Sequence, residues 1–118
     1  MKMENLNDGY VKVYRRAQKK QNDFSTPVNT KSKKDLEFVV ELAYKEMSKR
    51  DQDDQFAESI GRKLSLKVKT RRYEDVDKAM KIVRGSTLYA ILKIDYDREK
   101  DVMYLYMEEE RTLAEGDI

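Results

Sequence analysis

The sequence predicts a mainly β protein: a small antiparallel β-barrel of about six strands, with one short α-helix and a long basic loop. Three observations lead there. Residues 64–70 alternate cleanly between apolar and polar, short apolar runs divided by turn residues fill 79–107, and helix signals gather in one stretch near residues 49–60. A chain of 118 residues is short for a large two-sheet sandwich, and a lone flat sheet would expose two edges. Closure into a barrel removes both difficulties.

The elements follow in chain order. Residues 1–9 read as an N-terminal arm. Tyr10 to Ala17 is rich in β-branched and aromatic residues, with Val11 and Val13 on one face, and reads as a first strand. Residues 18–34 have no periodic apolar face and carry Lys19, Lys20, Lys31, Lys33 and Lys34 against the single Asp23, which predicts a flexible basic loop. Asp35 to Lys49 fits two templates. Leu36, Val39, Val40, Ala43 and Met47 follow helical spacing, whereas Phe38, Val40, Leu42 and Tyr44 follow strand alternation, and periodicity slightly favours helix. A short helix from about Lys49 to Ile60 is better marked. Ser48 stands three before Asp51 as in a capping box, Asp51, Asp53 and Asp54 suit the positive end of the helix, and Gly61 suits its left-handed stop. Leu64, Leu66 and Val68 then face inward while Ser65, Lys67 and Lys69 face out. Ala79 to Val83, the turn Arg84-Gly85-Ser86 and Leu88 to Ile94 read as a hairpin. A polar connection, Asp95 to Asp101, leads to a last strand around Val102 to Met107, and residues 112–118 form an acidic tail.

Composition narrows the function. The chain is 39% hydrophobic and 41% charged, which implies a single domain with a small core and a densely charged surface. It has no Cys and no His, so disulfides, thiolate sites and the commonest general base and metal ligand are absent, and synthesis in a reducing cytosol is expected. No apolar run approaches the roughly 20 residues that span a bilayer, and the first residues lack the apolar core of a signal peptide, so no membrane role is expected. The net charge of +2 is distributed in blocks: +6 over residues 1–34, −5 over 35–61, +6 over 62–84 and −5 over 85–118. Such blocks suit surfaces that meet complementary surfaces on neighbouring copies, and they equally suit faces that interleave within one fold and cancel.

Several motifs bear on chemistry. Asp51-Gln52-Asp53-Asp54-Gln55-Phe56 begins like a calcium loop but has Phe56 where the sharp turn needs Gly, so helix-start acids are the better account. Asp95 and Asp97 are spaced as in some divalent-metal sites, yet Lys100 occupies the Gly position and a solvated connection explains them. The four glycines are scattered singly, which excludes a phosphate-cradling loop. Tyr89, Tyr96, Tyr104 and Tyr106 could stack on unpaired bases, but packing is the commoner role and this half of the chain is acidic. The loop lysines could touch DNA phosphates without reading sequence, or simply be solvated. No catalytic residue, cofactor or metal site emerges.

The run Leu64-Ser-Leu-Lys-Val-Lys-Thr-Arg71, followed by Met80-Lys-Ile-Val-Arg-Gly85, Leu88-Tyr-Ala-Ile-Leu-Lys-Ile-Asp95 and Met103-Tyr-Leu-Tyr-Met-Glu108, resembles the phage head-tail joining family, also called head-closure, stopper or connector proteins. Upstream, Tyr44 to Arg50 followed by Gln55 to Glu58 looks like that family's strand-then-helix step, and the similarity spans roughly Tyr10 to Arg111. The resemblance implies a small β-barrel with a helix and a long loop, assembled as a ring beneath the portal and adaptor rings of a filled capsid. It implies a virion location in the neck, DNA retention, and a surface on which the tail docks. It also makes Leu36 to Met47 a strand, against the helical periodicity. The family has no fixed site residues, so interface assignments are physical expectations.

A ring needs one patch to meet a different patch on the next copy. The expected interface sets a basic strand surface, Lys67, Lys69, Arg71 and Arg72, against acids on a neighbour, either Asp51, Asp53 and Asp54 or Glu108, Glu109 and Glu110. Because exposed ion pairs are individually weak, the isolated protein is expected to be monomeric. The loop lysines are assigned to the channel or to a subunit contact, with non-specific contact to packaged DNA. The alternatives are a nucleic-acid-binding barrel, an adaptor or a tail-completion protein.

Overall fold

The computed structural model describes residues 5–17 and 36–114. Six strands and one helix follow in the order β1 (Gly9–Arg16), β2 (Leu36–Glu46), α1 (Asp51–Ser59), β3 (Leu66–Arg71), β4 (Lys81–Arg84), β5 (Thr87–Asp97) and β6 (Val102–Thr112). All neighbouring strands are antiparallel, and the sheet closes on itself in the order β1-β2-β3-β6-β5-β4. The mainly β barrel expected from the sequence is the fold observed. β2 is a strand along its whole length, as the resemblance implied and the helical periodicity did not. The expected basic loop lies outside the described residues, as do residues 1–4 and 115–118 of the expected arm and tail. Leu113, at the start of that tail, is buried.

The barrel interior takes the inward positions of every strand: Val11 and Val13, Leu42 and Tyr44, Leu66 and Val68, Ile82, Tyr89 and Ile91, and Met103, Leu105 and Met107. Val76 and Met80, from the connection between β3 and β4, complete it. Bulges then let some strands serve two apolar layers. In β2 the register steps from Val13↔Val40 to Tyr14↔Phe38, leaving Val39 as the extra residue. Tyr14 and Leu36 thereby join Val83, Leu88 and Leu113 in a second cluster. In β5 the step from Ile91↔Met107 to Lys93↔Tyr106 leaves Leu92 extra, and Leu92 packs with Ala57, Leu64 and Tyr106 beneath α1.

The helix starts two residues later than the capping box at Ser48 suggested. Arg50 is its N-cap, and the backbone N–H of Arg50 donates to Asp53 Oδ2 at 3.0 Å, so Asp53 rather than Asp51 folds back on the helix start. The chain leaves the helix through Ile60 and Gly61, whose φ of +70° is the left-handed stop expected there. Strands β5 and β6 run further than their apolar cores implied, and Asp97 and Asp101 bracket the turn between them. In that turn the Lys100 N–H donates to Asp97 Oδ1, and Asp101 adopts φ +58°.

Candidate functional site

The residues expected to form a mating surface divide sharply. The sequence places Lys67 and Asp53 on the opposing surfaces expected of different copies. They are instead partners within one chain, Lys67 Nζ donating to Asp53 Oδ2 at 3.0 Å, with side chains only 7% and 5% exposed. The outer face of the barrel is covered here: Asp53 of α1 meets Lys67, Ala57 of α1 packs with Leu64, Leu92 and Tyr106, and β3 is buried on both faces from Leu66 through Thr70. Lys69 is likewise buried. Arg72 bonds Asp101 at 2.9 Å and Glu74 at 2.6 Å, Glu108 accepts from the Arg62 side chain and the Lys63 N–H, and Glu110 pairs with Lys81. Arg71, Asp51 and Glu109 remain exposed and Asp54 is half-buried, so these four stay on the surface as candidates. Lys19, Lys20, Lys31, Lys33 and Lys34 lie outside the described residues.

These pairs explain the charge blocks. The basic block 62–84 is laid between the two acidic blocks, and Lys67–Asp53, Arg62–Glu108, Arg72–Asp101, Lys81–Glu110 and Arg84–Glu46 all cross block boundaries. Much of the alternation is therefore spent inside the fold.

One site emerges that the spacing of residues did not reveal. Between the start of α1 and the outer face of β3, β6 and β5 lies an open cleft of about 450 Å³, walled by Met47, Ser48, Arg50, Lys67, Asp95, Tyr104 and Tyr106. Register builds it. Lys69, Tyr104 and Asp95 form one cross-strand row, while Lys67, Tyr106 and Lys93 form the next. The Met47 N–H donates to the Lys67 carbonyl and brings the β2–α1 connection alongside. Lys67 Nζ stands 5.0 Å from the Tyr106 ring centroid and 5.8 Å from that of Tyr104, and Lys93 Nζ stands 5.0 Å from Phe56 and 5.2 Å from Tyr106.

The electrostatics are those of a buried, satisfied pair. Burial alone would raise the Asp53 carboxyl, but the Arg50 N–H, the Arg50 guanidinium and the Lys67 ammonium outweigh it and bring the group down to about 2. Asp53 raises the Arg50 guanidinium in turn, through its hydrogen bond. Tyr106 is pushed up to about 12, first by burial and then by the Asp53 and Asp95 carboxylates, and its hydroxyl donates to Asp95 Oδ2 at 3.3 Å. It therefore stays a neutral donor.

Of the four tyrosines considered as base-stacking groups, Tyr89 and Tyr106 are buried, and Tyr96 and Tyr104 are half-buried. Tyr89 bonds Arg84 at 3.2 Å at the other end of the barrel, so the four form no continuous platform. Asp95 lies 3.6 Å from Lys93, and Asp97 braces its turn, so both carboxylates have structural partners. Among the described residues no group of three or more carboxylates is arranged to hold a metal, and no helix is long and apolar enough to cross a membrane. A scan against protein-family models finds no match to the chain, and a search of curated proteins finds none either.

Proposed function

We propose that this chain is a structural virion protein that forms a ring in the neck of a tailed phage, closing the DNA-filled head and joining it to the tail. The observation that carries the reading is β2: the resemblance required a strand over residues 36–47 where periodicity favoured a helix, and the chain folds as a strand over Leu36–Glu46. The closed barrel with a helix packed on its outside also matches the architecture that the resemblance implies. In this reading the protein acts by shape and contact rather than by catalysis, and needs no cofactor.

The ring contact is assigned to what the fold leaves exposed. Tyr10 and Phe38 are 65% and 56% exposed on the β1–β2 side, and Asp51, Arg71 and Glu109 lie elsewhere on the surface. A head-to-tail contact joins unlike surfaces, and the exposed aromatics supply apolar area that exposed ion pairs lack. The partners would be adaptor or portal proteins above and tail-completion or tail proteins below. The five loop lysines, Lys19 to Lys34, are assigned to the channel or a subunit contact near the packaged DNA.

Inactivating the gene in its phage or prophage tests this. The expected result is full-sized heads that leak DNA or carry no tails, alongside free tails, by electron microscopy. Normal tailed particles at normal yield would overturn the reading.

A further inference from the structure

We propose that the cleft between α1 and the β3–β6–β5 face is a docking site for one acidic side chain of a partner protein, a Glu or Asp flanked by an apolar residue. Arg50 and Lys67 line the cleft, Lys93 pairs with Asp95 at its floor, and the exposed Lys45 lies on the cross-strand row Lys45–Lys69–Tyr104–Asp95 that runs into it, whereas the carboxylates at the site are Asp53 and Asp95. Both carboxylates are already engaged. Asp53 accepts from the Arg50 backbone and guanidinium and from Lys67, and Asp95 accepts from the Tyr106 hydroxyl and pairs with Lys93. The site therefore holds more cations than anions, and an incoming carboxylate restores the balance.

The Lys67 ammonium has three N–H groups and gives one hydrogen bond to Asp53. Arg50, whose side chain is 58% exposed, uses its Nε and one terminal nitrogen on the same carboxylate. Each cation keeps further donors for a second anion. Met47 and the Tyr104 ring offer apolar surface beside these donors, which fits the stem of a Glu or Asp and an apolar neighbour.

The cleft fits a single carboxylate better than a phosphate chain. Asp51 and Asp54 lie at the helix side, and Asp97, Glu99 and Asp101 lie at the β5–β6 turn, so a nucleic-acid backbone tracking through the cleft would run over carboxylates beyond it.

The test uses the whole isotope-labelled chain and a blocked peptide, Ala-Leu-Glu-Leu-Ala, followed by amide NMR up to about 10 mM peptide, a range suited to a single weak anchor. Shifts should concentrate at Met47, Ser48, Arg50 and Tyr104. The Gln version of the peptide, and the Lys45→Glu chain, should each bind about tenfold more weakly, as expected when a charge-assisted contact is lost or opposed. Lys45 is exposed, so that variant keeps the fold, and its own spectrum verifies this. The proposal is overturned by equal binding of the Glu and Gln peptides, by an unchanged affinity in Lys45→Glu, by shifts that lie elsewhere or are absent, or by a short oligothymidylate that shifts the same amides more strongly. None of these outcomes depends on the neck reading, because the cleft takes or refuses the peptide whatever assembly the chain serves.

Discussion

At the scale of single residues, the Lys67–Asp53 pair has the largest energetic consequence. Removing one member of a buried pair leaves the other charge without compensation, which typically costs about 3 to 5 kcal/mol, whereas removing both costs less than the sum. Lys67→Met should fall near the low end, about 3 kcal/mol, because Arg50 still bonds Asp53. Lys67→Met with Asp53→Asn should cost less than the two single changes added together, as read from urea unfolding midpoints. The same pair gives a pH dependence. The Asp53 carboxyl is lower in the fold, at about 2, than its ordinary 3.8, so its contribution is complete above about pH 4 and is lost as pH falls towards 2. That shift corresponds to about 2 kcal/mol. Asp53→Asn should remove most of this slope in denaturation curves measured between about pH 4 and pH 2. Sequence reasoning named both residues as important and gave each the wrong environment. Alternation along β3 says which side chains leave the barrel interior, but not that Asp53, 14 residues earlier in the chain, meets Lys67 on the other side.

Among the elements, α1 shows how local signals and tertiary placement divide the work. Its acids and its glycine stop were legible in the chain, because caps and the helix dipole are local physics. The register of its cap was not, since Asp51 and Asp53 are equally good candidates until Asp53 has to meet Lys67. Gly61 tests the stop. With φ at +70° and nothing within 4 Å of the position a Cβ would take, Gly61→Ala suffers backbone strain and no clash, so a cost of about 1 kcal/mol is expected. Gly61→Asn should cost less, since Asn tolerates that conformation better. Equal stability of all three chains in thermal unfolding would mean that the helix end relaxes freely. β2 poses the opposite problem. Its bulge at Val39 breaks strict alternation, and the four-residue step from Leu36 to Val40 imitates a helical repeat, which is why periodicity pointed the wrong way. The cleft was illegible for a similar reason: Tyr104 and Tyr106 come to lie opposite Lys69 and Lys67 only through the β3–β6 register, which the sequence does not print.

For the whole molecule, closure of the sheet matters more than any one element, and it rests on two thin seams. The β1–β4 ladder covers only Lys12↔Val83 to Tyr14↔Lys81, and the β2–β3 ladder only Tyr44↔Thr70 to Glu46↔Val68. By contrast, β5 and β6 pair from Thr87↔Thr112 to Asp97↔Val102, and β1 and β2 from Gly9↔Tyr44 to Arg16↔Leu36. The barrel is thus a β1–β2 hairpin joined along both sides to a four-stranded sheet. Apolar filling holds the two parts together, since Val11, Val13, Leu42 and Tyr44 of the hairpin share the interior with Val68, Ile82, Tyr89 and Met103 of the sheet. Short ladders open at lower free energy than long ones, because fewer hydrogen bonds and less buried area are lost in the opening. Native-state hydrogen exchange should therefore show the amides bonded across the two seams exchanging through a partial opening, below the free energy at which the β5–β6 amides exchange. A cysteine pair at Lys12 and Val83, free of competing thiols in a chain with no Cys of its own, should bridge one seam with little loss of packing and raise its protection towards that of β5–β6. If seam and hairpin amides exchange together in the unmodified chain, the barrel opens only as one unit, and the division into hairpin and sheet is a feature of its topology alone.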